Sequence, residues 1–155
     1  MAAIPAAGAK LRASVLSSLI PTGWSAWTPT LANLTLGSGT VVARWRQSGN
    51  GVNYAADYIF SFTLGAGSAV GTSPTFTLPF TAHASYPTFS NVGYGELLDS
   101  GTAAYIAIGR LTATPSVEIM FGGASDIHTV ITATVPFTWT TGDRLLIHGQ
   151  GIEIA

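Results

Sequence analysis

The sequence has no cysteine and very little charge. Without cysteine the chain can form no disulfide framework, no thiolate metal site and no cysteine nucleophile. Charged residues make up 8% of the 155 residues, whereas about a quarter is usual in a soluble domain. The formal net charge is −1, which provides no basic surface for a nucleic acid. We therefore expect no nucleic-acid partner.

Long apolar runs are also missing. Gly, Thr, Ser or Pro interrupts every apolar stretch before it reaches the roughly 18 residues that a membrane-spanning helix needs. We therefore expect no membrane insertion. Lys10 and Arg12 interrupt the apolar N-terminal segment where a signal peptide needs an unbroken core, so this segment is expected to stay on the mature protein.

Apolar and hydroxyl side chains replace the missing charge. Hydrophobic residues make up 47% of the chain, and there are 20 Thr and 14 Ser. A surface with so few charges does little to keep separate copies of a protein apart. We therefore predict an obligate oligomer in which copies of the chain bury apolar surface against one another.

Helical periodicity is confined to residues 6–20. Leu11, Val15 and Leu19 recur every four residues, and Ile20 widens the apolar stripe. A helix of about 15 residues is marginal on its own in water. It needs a partner, which is either other copies of itself, a neighbouring protein or its own domain. We predict that residues 1–23 form a helical anchoring segment with a linker.

From Trp24 onward the period changes to two, which is typical of strands. Residues 52–64 place alternate apolar side chains on one face, and residues 40–47 do the same with Arg44 and Arg46 on the other face. Between them, residues 48–51 have the composition of a tight hairpin turn. Other strands are predicted at 28–36, 74–80, 88–94, 103–111, 116–122, 129–135 and 144–154. The pattern predicts an all-β domain over residues 24–155, an antiparallel two-sheet β-sandwich of the jelly-roll type, with a closed barrel as the alternative.

Several short motifs follow one another in an order that resembles a known family. They are WTPT (27–30), GSGT (37–40), ARWRQ (43–47), FTLP (76–79) and PFTWTTGD (136–143). Together they resemble the C-terminal β-sandwich domain of tail-associated proteins, of the minor tail or tail-fibre kind, from phages and prophages of actinobacteria. Residues 5–13 resemble the short anchoring segment that often precedes such domains.

The resemblance implies a structural protein of a bacteriophage virion, assembled in the host cytoplasm. It implies a homotrimer that projects from the tail as a spike or fibre knob and adheres to polysaccharide on the host cell surface. It implies no catalytic residues and no cofactor. Residues 1–23 would then bind other phage structural proteins through Leu11, Val15, Leu19 and Ile20. The alternative is a capsid decoration or head-fibre protein, and a further one is a glycan-depolymerising enzyme that uses Glu96 and Asp99.

Candidate contacts to a partner or a saccharide are the arginines beside Trp45 and the aromatic and acidic residues of an irregular, Gly-rich and Pro-rich region. They are Arg44, Arg46, Tyr86, Phe89, Tyr94, Glu96 and Asp99. An ion pair between subunits, from these arginines to Asp57, is a further expectation, and the alternative is that the arginines only protect a sheet face. Host binding is expected within 83–101 or 122–129, because loops on a rigid scaffold carry recognition. The histidines (His83, His128 and His148) lack a zinc spacing, which leaves open a metal at a trimer axis.

Overall fold

The computed structural model describes residues 23–48, 54–123 and 128–155. These segments contain no helix, and every strand pairing among them is antiparallel. The strands are β1 (Ser25–Ala26), β2 (Leu31–Thr35), β3 (Thr40–Gln47), β4 (Ala55–Thr63), β5 (Ala69–Thr77), β6 (Asn91–Asp99), β7 (Ala103–Ala113), β8 (Ser116–Gly122), β9 (His128–Val130) and β10 (Arg144–Glu153). The all-β prediction is confirmed. The predicted helix, with Leu11, Val15, Leu19 and Ile20, lies outside the described residues.

The strands form one continuous sheet, so the predicted division into two sheets is wrong. The hydrogen-bonded order is β1-β3-β4-β10-β6-β7-β8-β5-β2, and β9 pairs with β8 outside this path. The strand that joins the two halves is β10, because it pairs with β4 on one side and with β6 on the other. Strand periodicity in the sequence shows which residues face the core, but it carries no information on which strands are neighbours.

The sheet curls on itself and encloses one core. Phe60 of β4 stacks on Phe76 of β5 with ring centroids 4.0 Å apart, although four strands lie between β4 and β5 in the sheet. Trp27 lies between β1 and β2, and its indole Nε1 donates a hydrogen bond of 3.1 Å to the carbonyl oxygen of Thr77 at the end of β5. This bond ties the two ends of the sheet together.

The alternation in β4 is confirmed. The predicted inner face is buried from its third residue onward: Ala56, Tyr58, Phe60, Phe62 and Leu64. Its first residue, Val52, lies outside the described residues, and its second, Tyr54, is exposed. The intervening Ile59, Ser61 and Thr63 are half-buried. Fully burying one large apolar side chain contributes about 1.5–3 kcal/mol, so this face of β4 is a main source of the stability of the fold.

The start of β10 is fixed by a buried carboxylate. Asp143 is fully buried, and its Oδ1 accepts a hydrogen bond of 2.9 Å from the backbone N–H of Ser100. Its Oδ2 accepts hydrogen bonds from the backbone N–H and the hydroxyl of Thr140. The turn that leads into β10 is thereby joined to the turn between β6 and β7.

The predicted positions of β5 and β6 are both displaced. A strand is predicted at 74–80, whereas β5 runs over Ala69–Thr77. The sequence predicts a strand at 88–94 and a Gly-rich loop after it, whereas β6 runs over Asn91–Asp99. The glycines in this stretch are not turn residues. A Cβ at Gly95 would collide with the backbone of Leu146, and one at Gly93 would collide with the phenol of Tyr58. These glycines therefore allow close approach of neighbouring groups inside a strand.

Candidate functional site

The outward-pointing side chains of β3, β4, β10, β6 and β7 form a face that we call the outer face. One row of residues in register crosses all five strands: Val42, Ser61, Leu146, Glu96 and Ile106. Five strands spaced about 4.8 Å apart give this row a length of about 19 Å. Val42, Leu146 and Ile106 are 48%, 40% and 65% exposed. The outer face therefore presents three large apolar side chains to solvent in one row, with Ser61 and Glu96 between them.

Three charged residues on the outer face have no ion-pair partner among the described residues. Glu96 is the acidic residue of the row described above, where it lies opposite Leu146. Arg144, two residues before Leu146 on β10, lies opposite Leu98 and is therefore a diagonal neighbour of Glu96. Arg44 lies in the next row on β3, opposite Ile59 of β4. Within the described part of the chain, none of these three charged residues forms an ion pair. They are available for contacts with another molecule.

A groove opens next to the outer face where β6 and β10 separate. Their pairing ends at Tyr94 and His148, and β10 then contains a bulge between Gly149 and Ile152. The cavity has a volume of about 380 Å³. We call it the β6–β10 groove, and its lining consists of Tyr86, Asn91, Val92, Gly93, Tyr94, His148, Gly149, Gln150 and Ile152.

The two tyrosines of the groove are held by different elements. The amide nitrogen of Asn91 lies 3.2 Å from the phenol oxygen of Tyr94, to which it donates a hydrogen bond. The phenol oxygen of Tyr86 accepts a hydrogen bond of 3.3 Å from the backbone N–H of Glu153. Tyr94 is 57% exposed, whereas Tyr86 is half-buried. The groove therefore combines a solvent-exposed tyrosine ring with a half-buried one.

Part of the groove lining is backbone that rests directly on the core. A Cβ at Gly149 would overlap the ring of Tyr58, and one at Gly93 would overlap its phenol oxygen. The Tyr58 phenol is buried and has no hydrogen-bond partner among the described residues, and burial raises its pKa. Only glycine, which has no Cβ, leaves room for the Tyr58 side chain at these two positions. The backbone that lines the groove at Gly93 and Gly149 therefore packs directly on this core residue.

The bulge of β10 is held in place by Asp57. Its Oδ1 accepts hydrogen bonds from the backbone N–H of Gly151, at 2.9 Å, and from the hydroxyl of Ser48, at 3.0 Å. Its Oδ2 forms an ion pair of 2.9 Å with Nε of Arg46. Burial raises the pKa of Asp57, but the hydrogen bonds from Gly151, Arg46 and Ser48, together with the charge of Arg46, lower this pKa by more. Asp57 thus connects β3 and β4 to the bulge beside Gln150.

The predicted arginine contacts separate into two kinds. Arg44 is exposed on the outer face. Arg46 pairs with Asp57 of the same chain, directly opposite it in the β3–β4 pair, and its guanidinium lies 4.8 Å from the ring centroid of Trp24. The expectation of an ion pair between subunits at Asp57 is therefore wrong, because the antiparallel register already supplies the partner.

The predicted acidic pair does not form one site. Glu96 points to the outer face, whereas Asp99 is half-buried at the end of β6. Residues three apart on a strand point to opposite faces, so these two carboxylates do not flank a common substrate position. The glycan-depolymerase alternative required that arrangement and receives no support from this pair.

The predicted aromatic residues come together in part. Tyr86 and Tyr94 line the same groove, and Phe89 is 62% exposed close to the start of β6. Phe89 has a φ of 75°, a left-handed conformation that is uncommon for a bulky side chain. The guanidinium of Arg110 lies 4.8 Å from its ring centroid.

Three polar residues of the groove are not among the predicted contacts: Asn91, His148 and Gln150. Asn91 lies within the predicted region 83–101, and the other two lie outside it. The only signal for Gln150 is its position between Gly149 and Gly151, since a glycine within a strand pattern indicates a bulge. Asn91 and His148 reach the groove through the pairing of β6 with β10, which the sequence does not reveal.

The described residues contain no group of three or more His, Asp or Glu side chains that could hold a metal ion. His83 is hydrogen-bonded to Ser85, His128 begins β9, and His148 lies in the groove. In the same part of the chain there is no helix that is long and apolar enough to cross a membrane.

The fold and the site define a class, namely an all-β protein with one curled antiparallel sheet, an apolar outer face and an adjoining polar–aromatic groove. Comparison with models of protein families, with curated proteins and with solved structures finds no match to the chain.

Proposed function

We propose that the chain is a structural protein of a bacteriophage particle that acts as a homotrimer. In this proposal it projects from the tail as a spike or fibre knob and adheres to saccharide on the host cell. The observation that carries the proposal is the outer face, where Val42, Leu146 and Ile106 are exposed in one row. Several large apolar side chains exposed close together, with polar residues among them, support an interaction site. The motif resemblance over 27–47 and 136–143 supports the particle context.

The charge pattern supports association between copies. A cyclic trimer uses a contact in which one patch of each copy meets a different patch of the next copy. The outer face carries charges of both signs for such a contact, because Glu96, Arg144 and Arg44 are all exposed on it and none of them is paired internally among the described residues. Glu96 of one copy can therefore meet an arginine of the next while the apolar row is buried between them.

Attachment to the particle is assigned to residues 1–23. Their apolar stripe, with Leu11, Val15, Leu19 and Ile20, would form the helix that docks on other phage structural proteins. The capsid decoration or head-fibre alternative differs only in where this segment attaches.

Sedimentation of the full chain tests the trimer. The wild-type chain should sediment at three times its 16.0 kDa mass, and Ile106→Asp or Leu146→Asp should reduce it to monomers, because each places a charge inside the apolar row. The matched control is Ala66→Asp, which adds the same charge in the exposed turn between β4 and β5 and should remain trimeric. A wild-type chain that is a folded monomer at micromolar concentration contradicts the proposal.

Electron cryomicroscopy of the intact particle tests the location. Density for this chain at the tail supports the spike or fibre knob, and density on the capsid supports the decoration alternative. A particle that lacks the chain altogether contradicts both.

A further inference from the structure

We propose that the β6–β10 groove is a binding site for a neutral sugar ring of a polysaccharide, with Tyr94 as the stacking residue. This inference deepens the proposed function, on which it rests, by assigning the adhesion to one site and one ligand class. The cavity volume of about 380 Å³ lies within the range of small-molecule sites and suits one or two sugar rings.

Tyr94 provides the apolar surface that such a ligand needs. A sugar ring has faces of C–H groups, which pack on an aromatic ring, and edges of hydroxyls, which need hydrogen bonds. The Tyr94 ring is 57% exposed, and the hydrogen bond of 3.2 Å from Asn91 restrains its phenol. A ring held in this way loses little freedom when a ligand stacks on it.

The polar groups around Tyr94 match the hydroxyls. Asn91 still has its amide oxygen as an acceptor, and Gln150 and His148 each bring donor and acceptor atoms. Neither the Gln150 nor the His148 side chain makes a hydrogen bond within the described part of the chain, although both line the groove. These groups can therefore exchange hydrogen bonds with a ligand without breaking internal ones.

The charge of the groove selects the ligand class. The residues that line it include no carboxylate, no lysine and no arginine, and His148 is the single basic residue among them. Without arginine or lysine the groove offers no permanently charged partner to a uronic acid or to another acidic sugar. The geometry therefore favours neutral hexoses over acidic ones.

The groove is also preformed. Asp57 fixes the bulge at Gly151 with a hydrogen bond of 2.9 Å, and the backbone at Gly93 and Gly149 rests on Tyr58. A site that is already in its binding shape does not have to be ordered by the ligand, which raises affinity.

Phe89 extends the aromatic surface beyond the groove. It stacks against Arg110, and Arg110 pairs in register with Asn91, which lines the groove. The backbone of Phe89 has a positive φ, and residues with a strained backbone conformation cluster at binding sites. A polysaccharide that occupies the groove would reach Phe89 with its neighbouring sugar.

The groove extends away from the contact proposed for the trimer. Association is centred on the row that contains Leu146, and His148 lies two residues further along β10, about 7 Å away. The groove continues from there toward Gln150 and Tyr86, so we expect its far end to stay open in the trimer. Three weak sites on one trimer would give avidity for a repeating polysaccharide.

Titration of the full, isotope-labelled chain with defined oligosaccharides tests the proposal. The probes are the hexasaccharides of maltose-type, cellulose-type, mannan-type and galactan-type linkage, with oligogalacturonate as the acidic comparison. At least one neutral probe should shift the backbone amide signals of Gly93, Gly149 and Gln150 at millimolar concentration, and oligogalacturonate should bind more weakly.

Two variants and a matched control complete the test. Tyr94→Ala and Gln150→Ala should each weaken binding, and the loss of the stacking ring should weaken it about tenfold. Tyr54→Ala removes a tyrosine of similar exposure that does not line the groove, and it should bind as the wild type does. The spectrum of each variant without sugar reports whether it folds, and Tyr94→Phe should retain binding if Tyr94→Ala does not fold.

The opposite results overturn the inference. They are no shift at the groove amides with any neutral probe, equal binding by Tyr94→Ala, or stronger binding of oligogalacturonate. Failure of this inference can be told apart from failure of the proposed trimer, since a trimer that binds no sugar overturns only the assignment of the groove. A monomer that binds sugar overturns the trimer alone.

Discussion

The two faces of β10 differ in exposure although they belong to one strand. Leu145 and Ile147 are almost completely buried, whereas Leu146 between them is 40% exposed and His148 after them is exposed. Both sets share the same hydrogen bonds to β4 and β6. The comparison teaches that the inner face holds the fold together, and that an equally apolar residue on the outer face is available for association.

The first prediction compares neighbouring residues on the two faces. Ile147→Ala should lower the free energy of unfolding by about 2–5 kcal/mol, because it leaves a cavity in the core. Leu146→Ala should change it by less than about 0.5 kcal/mol at a low, fixed protein concentration, and should weaken association instead. Chemical denaturation monitored by tryptophan fluorescence measures both. Equal losses from the two variants would remove the distinction between the faces.

The second prediction concerns the inner face at the end of β10. Gly149→Ala places a methyl group against the ring of Tyr58, and such overpacking costs about 1–3 kcal/mol of stability. Gly23→Ala is the control, because a Cβ there meets no atom within 4 Å. Thermal unfolding of the two variants should show a lower midpoint for Gly149→Ala alone.

The third prediction concerns pH. The pKa of Asp57 is lower in the folded chain than its usual value, so its ionised form stabilises the fold above that usual value. This contribution is lost as the pH falls from the usual pKa through the lower folded one. Asp57→Asn should lower stability at neutral pH by about 1–3 kcal/mol and should flatten the loss of stability in acid.

The control is Asp99→Asn, which makes the same chemical change at a half-buried carboxylate on β6, two strands away from β4. It should lower stability at neutral pH by less than Asp57→Asn, because Asp99 accepts none of the hydrogen bonds that hold the bulge. The same comparison reports on the groove, since Asp57→Asn replaces one of the two carboxylate oxygens that hold Arg46 and Gly151 with an amide NH2 and should also weaken sugar binding. An unchanged acid limb in Asp57→Asn would show that the bulge is held by other contacts.

Much of the strand pattern could be predicted from the sequence, because alternation decides which side chains face a core. Residues 40–47 and 116–122 have the predicted strand bounds, and the buried face of β4 is the predicted one. The groove could be predicted only in part. Tyr86 and Tyr94 were recognised as aromatic residues in an irregular region, but His148 and Gln150 reach them through strand pairing between distant segments, which no local pattern encodes.

The smallest expected change in stability is a gain instead of a loss, and it concerns Tyr58, the core residue that packs against the groove. Its phenol is buried without a hydrogen-bond partner among the described residues, and a buried polar group in that state opposes folding. Tyr58→Phe keeps the ring that supports Gly149 and removes the oxygen, so stability should stay constant or rise by about 1 kcal/mol. Tyr86→Phe is the control, because it breaks the hydrogen bond from Glu153 and should lower stability by about 1 kcal/mol. A clear loss of stability in Tyr58→Phe would mean that the phenol has a partner in solution, and the groove next to it would then be the place to look for that partner.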